Sequence, residues 1–499
     1  MQDSLKPTPR SSRWLPYGLI IVAIVALIVG FRQPALAETA RHYTELEFAP
    51  PPEVTLPEYT RFETANGIVV YLVEDHELPL VSGSAMIRTG NRLEPADKTG
   101  LAGLVGEVLR SGGTETYPAD RLNTLLEQRA ASVESGIDAT VATVNFDALS
   151  EDVDQVFRVF TDLLRHPAFP QDKLELSKTQ QQGAIARRND NPEDVASREF
   201  QKLVYGKDSP YARTVEYATL NNISRTDVVE FYQRYFAPQN LLLGIVGDFD
   251  PVAMRSLIEE TLGDWQASAT AKVVTTDDLP TVSQANNGGV FLVDLPQLTQ
   301  SYVQIGHLGG QFNQPDYAAM SVLNEVMNGF GGRLVNEVRS RQGLAYVIYA
   351  FWSPRFDYPG IFVGGGQTRS DATVPFIRST LAELEEVRTT PISDEELRRA
   401  QDSVLNSFIF SFRTPGQILS RLMRYEYYDY PSDFIFQYQQ AVAETTPEDV
   451  LRAAQTQLKP EDIVTLVVGN AAAIDPPLST LVEDGTVTAI DVSIPSENP

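Results

Sequence analysis

The chain has 499 residues, of which 42% are hydrophobic and 21% charged, so its length allows two or three ordinary globular domains. Its 66 acidic and 40 basic residues give a formal net charge of -26, which would repel phosphate backbones and anionic membranes and argues against a nucleic-acid role. Two interpretations of the acidic excess stay open: it only keeps the surface soluble, or it forms an acidic cavity that attracts basic peptides.

Cysteine is absent, which excludes disulfides, thiolate zinc sites and a cysteine nucleophile together. A metal ion would have to use histidine and carboxylate side chains. The four histidines are His42, His76, His166 and His307, and no two of them share a helical turn at i,i+3 or i,i+4 spacing. A local histidine-pair zinc site is therefore excluded.

The N-terminus has the pattern of a secretory signal peptide. Lys6, Arg10 and Arg13 precede an apolar run from Leu19 to Phe31, and Ala35-Leu36-Ala37 follows as a small-residue cleavage site. We expect cleavage after Ala37, because the apolar run is shorter than the roughly 20 residues of a usual spanning helix.

An uncleaved membrane anchor is the alternative, since adding Leu15 to Tyr17 lengthens the apolar run. Either reading places the body of the protein outside the cytoplasm, in the periplasm or an equivalent compartment. Residues 38–58 are rich in proline and are predicted to be an extended linker.

Strands and helices then alternate along the chain. Gly67 to Val73 and Ser82 to Arg88 are β-rich runs and are predicted to be paired strands. Helical spacing of apolar residues follows, from Leu101 to Val108 and again from Val153 to Leu164.

Internal repetition is the most informative feature, because a self-similar chain uses one architecture twice. Gly90 falls where Gly310 does in the second half. Three pairs of segments match in the same order: Tyr71–Glu74 with Phe291–Asp294, Leu104–Leu109 with Val322–Met327, and Asp227–Gly247 with Asp449–Gly469.

The repeat predicts an α+β fold of two homologous α/β domains, each with a mixed or antiparallel sheet packed with helices. The expected domain boundaries are residues 59–267 and 288–475, with a linker at 268–287 that is rich in Thr, Ser, Ala and Asp. Residues 476–499 are expected to be an acidic tail.

Four stretches resemble the pitrilysin/insulinase family of zinc metallopeptidases, in the form of mitochondrial processing peptidase subunits and small bacterial relatives. They are Thr99–Ala102 at the start of a helix, Asp162–Pro170 at the end of another, Ser209–Tyr211 with Arg213, and Gly331–Leu334 running on to Gly343–Tyr346. They span both halves of the chain.

In that family the first helix carries His-x-x-Glu-His, in which two histidines and a distal glutamate bind zinc and the glutamate between the histidines activates water. The resemblance places these motif positions at Gly103, Gly106 and Glu107, and the distal glutamate at Ala184 when Pro192 is the reference. One carboxylate cannot replace three protein ligands, so no metal is expected. The two glycines are more simply explained by a close approach of the backbone.

The resemblance gives the opposite result in the second half. Family members carry an arginine and a tyrosine seven residues apart after a glycine-rich turn, and here Arg339 and Tyr346 keep that spacing. A guanidinium can bind a peptide carbonyl, and a phenol can donate to an oxyanion, so this pair is predicted to bind substrate. The family's Asn-Ala segment on the substrate-binding edge strand is replaced near Glu134-Ser135, which argues against peptide binding by the first half.

The resemblance therefore implies the non-catalytic subunit of a heterodimer. A zinc-bearing homologue would be the partner, each subunit would form half of a clam-shell chamber, and this chain alone should not hydrolyse peptides. The alternative is an inactive peptide-binding or scaffold protein, working as a homodimer. An independent peptidase has little support, because neither Gly-x-Ser-x-Gly nor a phosphate-binding loop is present.

Overall fold

The computed structural model describes residues 57–495. The predicted signal peptide or anchor at 1–37 and all but the last two residues of the 38–58 linker lie outside this range. Over the described range, no helix is both long and apolar enough to cross a membrane.

The first half of the body contains a six-stranded sheet. Its strands are β1 (Thr60–Glu63), β2 (Val69–Glu74), β3 (Leu80–Arg88), β4 (Ser132–Ile137), β5 (Val141–Leu149) and β6 (Leu241–Gly247). They are arranged in the order β1-β2-β6-β3-β5-β4. Only β2 and β6 run parallel, and every other pair of neighbours is antiparallel.

The second half contains another six-stranded sheet. Its strands are β7 (Val290–Asp294), β8 (Gln300–Leu308), β9 (Ala345–Ser353), β10 (Ile361–Arg369), β11 (Val464–Gly469) and β12 (Val487–Ala489). Their order is β12-β7-β11-β8-β10-β9. Five strands repeat the first sheet with the same directions, whereas β12 pairs parallel to β7 where β1 is antiparallel to β2.

Helices pack against both sheets. In the first half they are α1 (Leu101–Ser111), α2 (Ala119–Glu127), α3 (Val153–Arg165), α4 (Gln171–Arg187), α5 (Pro192–Tyr205), α6 (Tyr217–Asn221), α7 (Arg225–Tyr235) and α8 (Pro251–Leu262). In the second half they are α9 (Tyr317–Asn328), a π-helix (Val335–Arg341), α10 (Thr373–Thr389), α11 (Asp394–Phe408), α12 (Pro415–Tyr427), α13 (Phe434–Glu444) and α14 (Pro447–Gln457).

The repeat extends to the helix ends. Ser224 caps α7 and forms a reciprocal pair of hydrogen bonds with Asp227, and Thr446 forms the same pair with Asp449 at the start of α14. Such a capping box satisfies two backbone N–H groups that a helix start leaves without partners. The matching segments of the sequence thus fold in the same way, and the predicted fold of two homologous α+β units is confirmed.

One detail of the predicted topology is wrong. The strands β2 and β3 were expected to pair, but β6 lies between them. All but one of the seven residues of β6 are buried, and a strand this apolar is most stable in the interior of a sheet. The sequence pattern of residues 67–88 could not predict this insertion, because β6 begins at residue 241, far away in the chain.

The two halves exchange a helix each. The first half's α5 packs on β8 and β11 of the second sheet, with Phe200 and Val204 against Leu466. The second half's α12 packs on β2, β3 and β6 of the first sheet, with Leu419 and Met423 in its core. Each sheet therefore has one face covered by its own helices and part of the other face covered by its neighbour's.

The segments predicted as linker and tail are attached to the body. Gln284, in the 268–287 segment, accepts a hydrogen bond from the Leu308 backbone (2.7 Å) and donates one to the Asp462 carbonyl (2.6 Å). Beyond residue 475, β12 joins the second sheet, and Ile494 packs against the core of the first half. Part of the expected acidic tail is thus a structural element of both halves.

Candidate functional site

Helix α1 lies where the resemblance places a zinc motif. Gly103 is on its exposed side, and within the described part of the chain a Cβ added there would meet no atom within 4 Å. At the buried Gly106 a Cβ would lie 2.7 Å from the Ile137 backbone nitrogen and 3.0 Å from Gly136. The close backbone approach expected of both glycines therefore holds at Gly106 and is wrong at Gly103.

The four motif positions do not fit a zinc ion. Glu107 is half-buried, and Ala184 is exposed on α4, which packs along α1. Only Glu107 of the four has a side-chain donor atom, whereas a catalytic zinc site needs three protein ligands. Among residues 57–495, no cluster of three or more His, Cys, Asp or Glu side chains is placed to hold a metal ion.

The histidines that the structure describes all make contacts elsewhere and not with this helix. His76 contacts Asp248 (2.7 Å), and His166 contacts Asp162 (2.9 Å), both at the surface. His307 is buried on β8, where its Nδ1 lies 2.8 Å from the Leu308 carbonyl and its Nε2 accepts from the Lys459 backbone. Burial lowers the pKa of His307, so it stays neutral at pH 7.

The strand beside α1 carries the replaced family segment. On β4, at the edge of the first sheet, Glu134 is exposed and Ser135 donates a hydrogen bond to the Gly106 carbonyl (2.5 Å). Arg110 of α1 donates through Nε to the Val133 carbonyl, and burial lowers its pKa. The helix thus contacts this strand through the Ser135 hydroxyl and the Val133 carbonyl.

Arg339 and Tyr346 lie together in the second half. The Arg339 guanidinium carbon is 4.8 Å from the centre of the Tyr346 ring, a cation-π contact. Both side chains are exposed, Tyr346 by 79%. The structure thus brings the two predicted residues into contact with each other and leaves their polar groups accessible.

Irregular backbone presents both side chains. Arg339 lies in the π-helix, a form that is rare and frequent at functional sites. Tyr346 is the extra residue of a β-bulge: the register passes from the Val347–Gln367 pair to the Ala345–Thr368 pair and skips it. Bulges redirect side chains away from the regular alternation of a strand, which accounts for the exposure of this tyrosine.

Arg339 differs from the arginines around it. Arg333 forms a bidentate pair with Glu396 (2.7 and 3.1 Å), which holds the pKa of that carboxyl at about 2. Arg341 pairs with Glu337. None of the ion pairs formed within the described residues includes Arg339. Its donors are therefore available to a ligand.

Two asparagines of α9, which the sequence analysis missed, hold the strand that carries Tyr346. Asn324 donates to the Trp352 carbonyl (2.9 Å) and accepts from its N–H (2.8 Å), and Asn328 does the same at Ala350 (2.6 and 2.8 Å). β9 is the edge strand of its sheet, so these amides replace a neighbouring strand. Two asparagines at i,i+4 on a largely apolar helix were the available signal.

The duplicated α+β fold defines the class of protein as peptidase-like. The positions on α1 where such a protein would bind its metal ion carry no histidine here. The family model described as "Insulinase (Peptidase family M16)" matches residues 69–217, and "Peptidase M16 inactive domain" matches residues 222–404. Together they cover more than half of the chain, which therefore belongs to the insulinase family, M16.

Two relatives with similar sequences are bacterial proteins. The uncharacterized zinc protease YmxG of Bacillus subtilis is 22% identical over 367 residues, covering 72% of this chain and 86% of its own. A Helicobacter pylori protein named "Non-peptidase homolog YmxG" is 24% identical over 387 residues, covering 74% and 84%. The relatives thus include one protein named as a protease and one named as a non-peptidase homologue.

Solved structures confirm the fold. The peptidase M16 inactive domain from Pseudomonas fluorescens superposes with a TM-score of 0.74 at 23% identity, covering 84% of this chain and 100% of that one. A protease from Helicobacter pylori gives 0.71 at 17% identity, covering 83% and 100%. The periplasmic protease PqqL from Escherichia coli gives 0.70 at 16% identity, covering 90% of this chain and 50% of PqqL.

Proposed function

We propose that this chain is the non-catalytic, substrate-binding subunit of a heterodimeric insulinase-type zinc metallopeptidase, in which Arg339 and Tyr346 act beside the zinc site of a homologous partner. The observation that carries the proposal is the contrast between the two halves. Gly103, Gly106 and Ala184 offer no metal donors, while Arg339 and Tyr346 offer exposed donors for a peptide.

The chemistry of the pair suits an extended peptide. The Arg339 guanidinium can donate two hydrogen bonds to one backbone carbonyl, and the face of Tyr346 restricts its orientation. The Tyr346 hydroxyl can donate to the oxyanion that develops when water attacks a peptide bond. Hydrolysis itself belongs to the partner's zinc, which supplies the Lewis acid that this chain lacks.

Exposed apolar side chains in the glycine-rich turn and on β9 support the proposal that a partner or ligand covers this half. Phe330 is wholly exposed in the glycine-rich turn, and Val347 and Phe351 are each 41% exposed on β9. Contiguous exposed apolar surface is typical of sites that bind a partner or a ligand. We also propose a location in the periplasm or an equivalent compartment, which the predicted signal segment and the similar fold of the periplasmic protease PqqL support.

The first test is purification of the full chain from its native source. We expect a homologue with an intact zinc motif to co-purify in equal amount, and the isolated chain to cleave no peptide. A homodimer without such a homologue would support the scaffold alternative instead.

The second test measures peptide cleavage by the reconstituted pair. Tyr346→Phe removes one oxyanion donor and should lower kcat by about 100-fold. Arg339→Ala should lower kcat/KM by about tenfold or more, because a charge-assisted hydrogen bond is lost. Arg341→Ala is the matched control, since that arginine is exposed in the same π-helix but paired with Glu337. Unchanged activity of Arg339→Ala in an intact heterodimer would remove the proposal.

A further inference from the structure

The two halves form an open cavity of about 550 Å³ beside the turn that joins β9 to β10. We call it the hairpin cavity. Its walls come from β3 and β5 of the first sheet, the 354–358 turn of the second, and α12. A volume of this size lies within the range of about 300–1,000 Å³ that is usual for ligand sites, and interfaces between domains are common places for them.

The carboxylates that line the hairpin cavity are already engaged. Asp138 accepts from the backbone N–H groups of Thr140 (2.7 Å) and Val141 (2.9 Å). Asp357 pairs with Arg92 (2.7 Å), whose side chain is only 3% exposed. The negative charge of Asp357 is therefore matched within the protein, and that of Asp138 is stabilised by its own turn.

The guanidinium groups that line the same cavity are not engaged in this way. Arg355 and Arg424 are both exposed at its wall, and neither takes part in an ion pair in the described part of the chain. The side-chain hydroxyls of Ser84, Thr143 and Ser420 also line the cavity. With Asp357 matched by Arg92, the two arginines outnumber the one remaining carboxylate, Asp138, whose oxygen already accepts from its own turn. In a chain of net charge -26, this cavity therefore has one positive charge in excess and several hydrogen-bond donors.

Aromatic side chains supply an apolar wall beside these cations. The rings of Phe356 and Tyr428 are stacked at 4.8 Å and 5°, and Phe312 contacts Phe356 at 4.6 Å. The Arg424 guanidinium carbon lies 5.8 Å from the Phe356 ring centre, which places one cation beside the aromatic surface. The cavity is larger than a lone carboxylate needs, so the anion is expected to arrive attached to an apolar group.

We propose that the hairpin cavity binds an acidic side chain of a peptide, with its carboxylate on Arg355 and Arg424 and a neighbouring apolar residue against Phe356. Planar guanidinium groups match a carboxylate in shape and in hydrogen-bond geometry. The inference rests on the proposed function in that the ligand is a peptide, and it adds a preference for acidic sequences. The preference is opposite in sign to the attraction of basic peptides that the net charge alone suggested.

The test uses fluorescence anisotropy with the full chain and two short labelled peptides in a glycine-serine background. One peptide contains a Glu-Phe pair and the other a Gln-Phe pair. We expect the acidic peptide to bind about tenfold more tightly, as for other hydrogen bonds to charged groups. The double variant Arg355→Gln/Arg424→Gln should abolish that difference, and Arg234→Gln, an exposed arginine of α7 outside the cavity, should preserve it.

Three results would overturn the assignment. They are equal binding of the two peptides, an unchanged preference in the double variant, and displacement of the acidic peptide by free glutarate at the same concentration, which would indicate a small-anion site. Arg339→Ala separates this proposal from the proposed function. The variant should keep the acidic preference even if it abolishes cleavage by the reconstituted pair, and loss of the preference there would move the site to the Arg339 surface.

Discussion

The two halves differ in how a helix packs against the edge strand of its sheet, α1 against β4 in the first half and α9 against β9 in the second. In the first half α1 approaches β4 so closely that only glycine fits at Gly106. In the second half the equivalent position is Asn324, and its amide bonds to the backbone of β9. One edge is closed by direct backbone contact, and the other is held by side chains that leave its far end, with Tyr346, accessible.

A further pair of equivalent positions shows the same divergence. With Gly90 matched to Gly310, the buried Arg92 corresponds to Phe312, and both help to hold the β9–β10 turn, one through Asp357 and the other through Phe356. A duplicated backbone thus tolerates opposite chemistries at one position, provided that each finds a partner. Functional groups can be lost from one half and kept in the other without a change of fold.

The largest effect on the free energy of unfolding is expected at the ion pair between Arg92 of the first half and Asp357 of the second. Asp357→Asn leaves Arg92 buried without its counter-ion, and breaking a buried pair in this way costs about 3–5 kcal/mol. Urea unfolding would measure it, with Asp371→Asn as the control because its pair with Arg369 is exposed and contributes little. A loss at Asp357 no larger than at the control would mean that Phe312 alone suffices to hold the turn.

A pair of glycine variants tests the close approach of α1 to β4. Gly106→Ala places a Cβ against the Ile137 backbone and should destabilise the protein by about 1–3 kcal/mol, despite the better helix propensity of alanine. Gly103→Ala points into open space and should stabilise by about 0.5–1 kcal/mol. Free energies of unfolding of equal sign for the two variants would contradict the contrast between these positions.

The same contrast predicts the outcome of restoring the family motif. A glutamate at position 106 would meet the Ile137 backbone, so Gly103→His, Gly106→Glu, Glu107→His and Ala184→Glu together should not create a stable zinc site. Metal analysis after dialysis, with a thermal unfolding curve, is the measurement. Zinc bound at one ion per chain, with an unchanged midpoint, would show that β4 can move aside.

The asparagine hydrogen bonds of α9 should stabilise the second half by an amount similar to the effect expected at Gly106. Asn324→Ala leaves the Trp352 N–H and carbonyl without partners and should cost about 1–3 kcal/mol. Hydrogen exchange should accelerate at the Trp352 amide, whereas the Ala350 amide, held by Asn328, should change less. Equal acceleration at both amides would indicate that α9 holds the strand as a unit rather than through separate bonds.

The smallest effect concerns His307, whose counterpart in the first half is the buried Ile87. Burial lowers the pKa of His307 below its usual 6.5, so below about pH 6.5 the unfolded chain binds a proton that the folded chain does not. The free energy of unfolding should therefore fall as the pH decreases, and His307→Gln should reduce that slope. The raised pKa of His76 acts in the opposite direction, so only the difference between variant and wild type isolates His307.

The sequence predicted the duplicated fold well because matching segments must adopt matching structures. The resemblance to the insulinase family pointed to Arg339 and Tyr346, but neither the π-helix nor the bulge at Tyr346 has a local signal in residues 335–346. The position of β6 and the pairing of Arg92 with Asp357 depend on contacts between residues more than a hundred positions apart. Periodicity does not record such contacts, which is why the hairpin cavity was not foreseen.

The exchange of α5 and α12 bears on how such a molecule could have originated. A single half would leave the apolar face of its sheet bare where the other half's helix now lies, so it would have been stable only as a two-fold pair in which each copy lent a helix to the other. Gene fusion would then have freed the copies to diverge. Severing the chain near residue 280 today should leave two fragments that remain bound to each other.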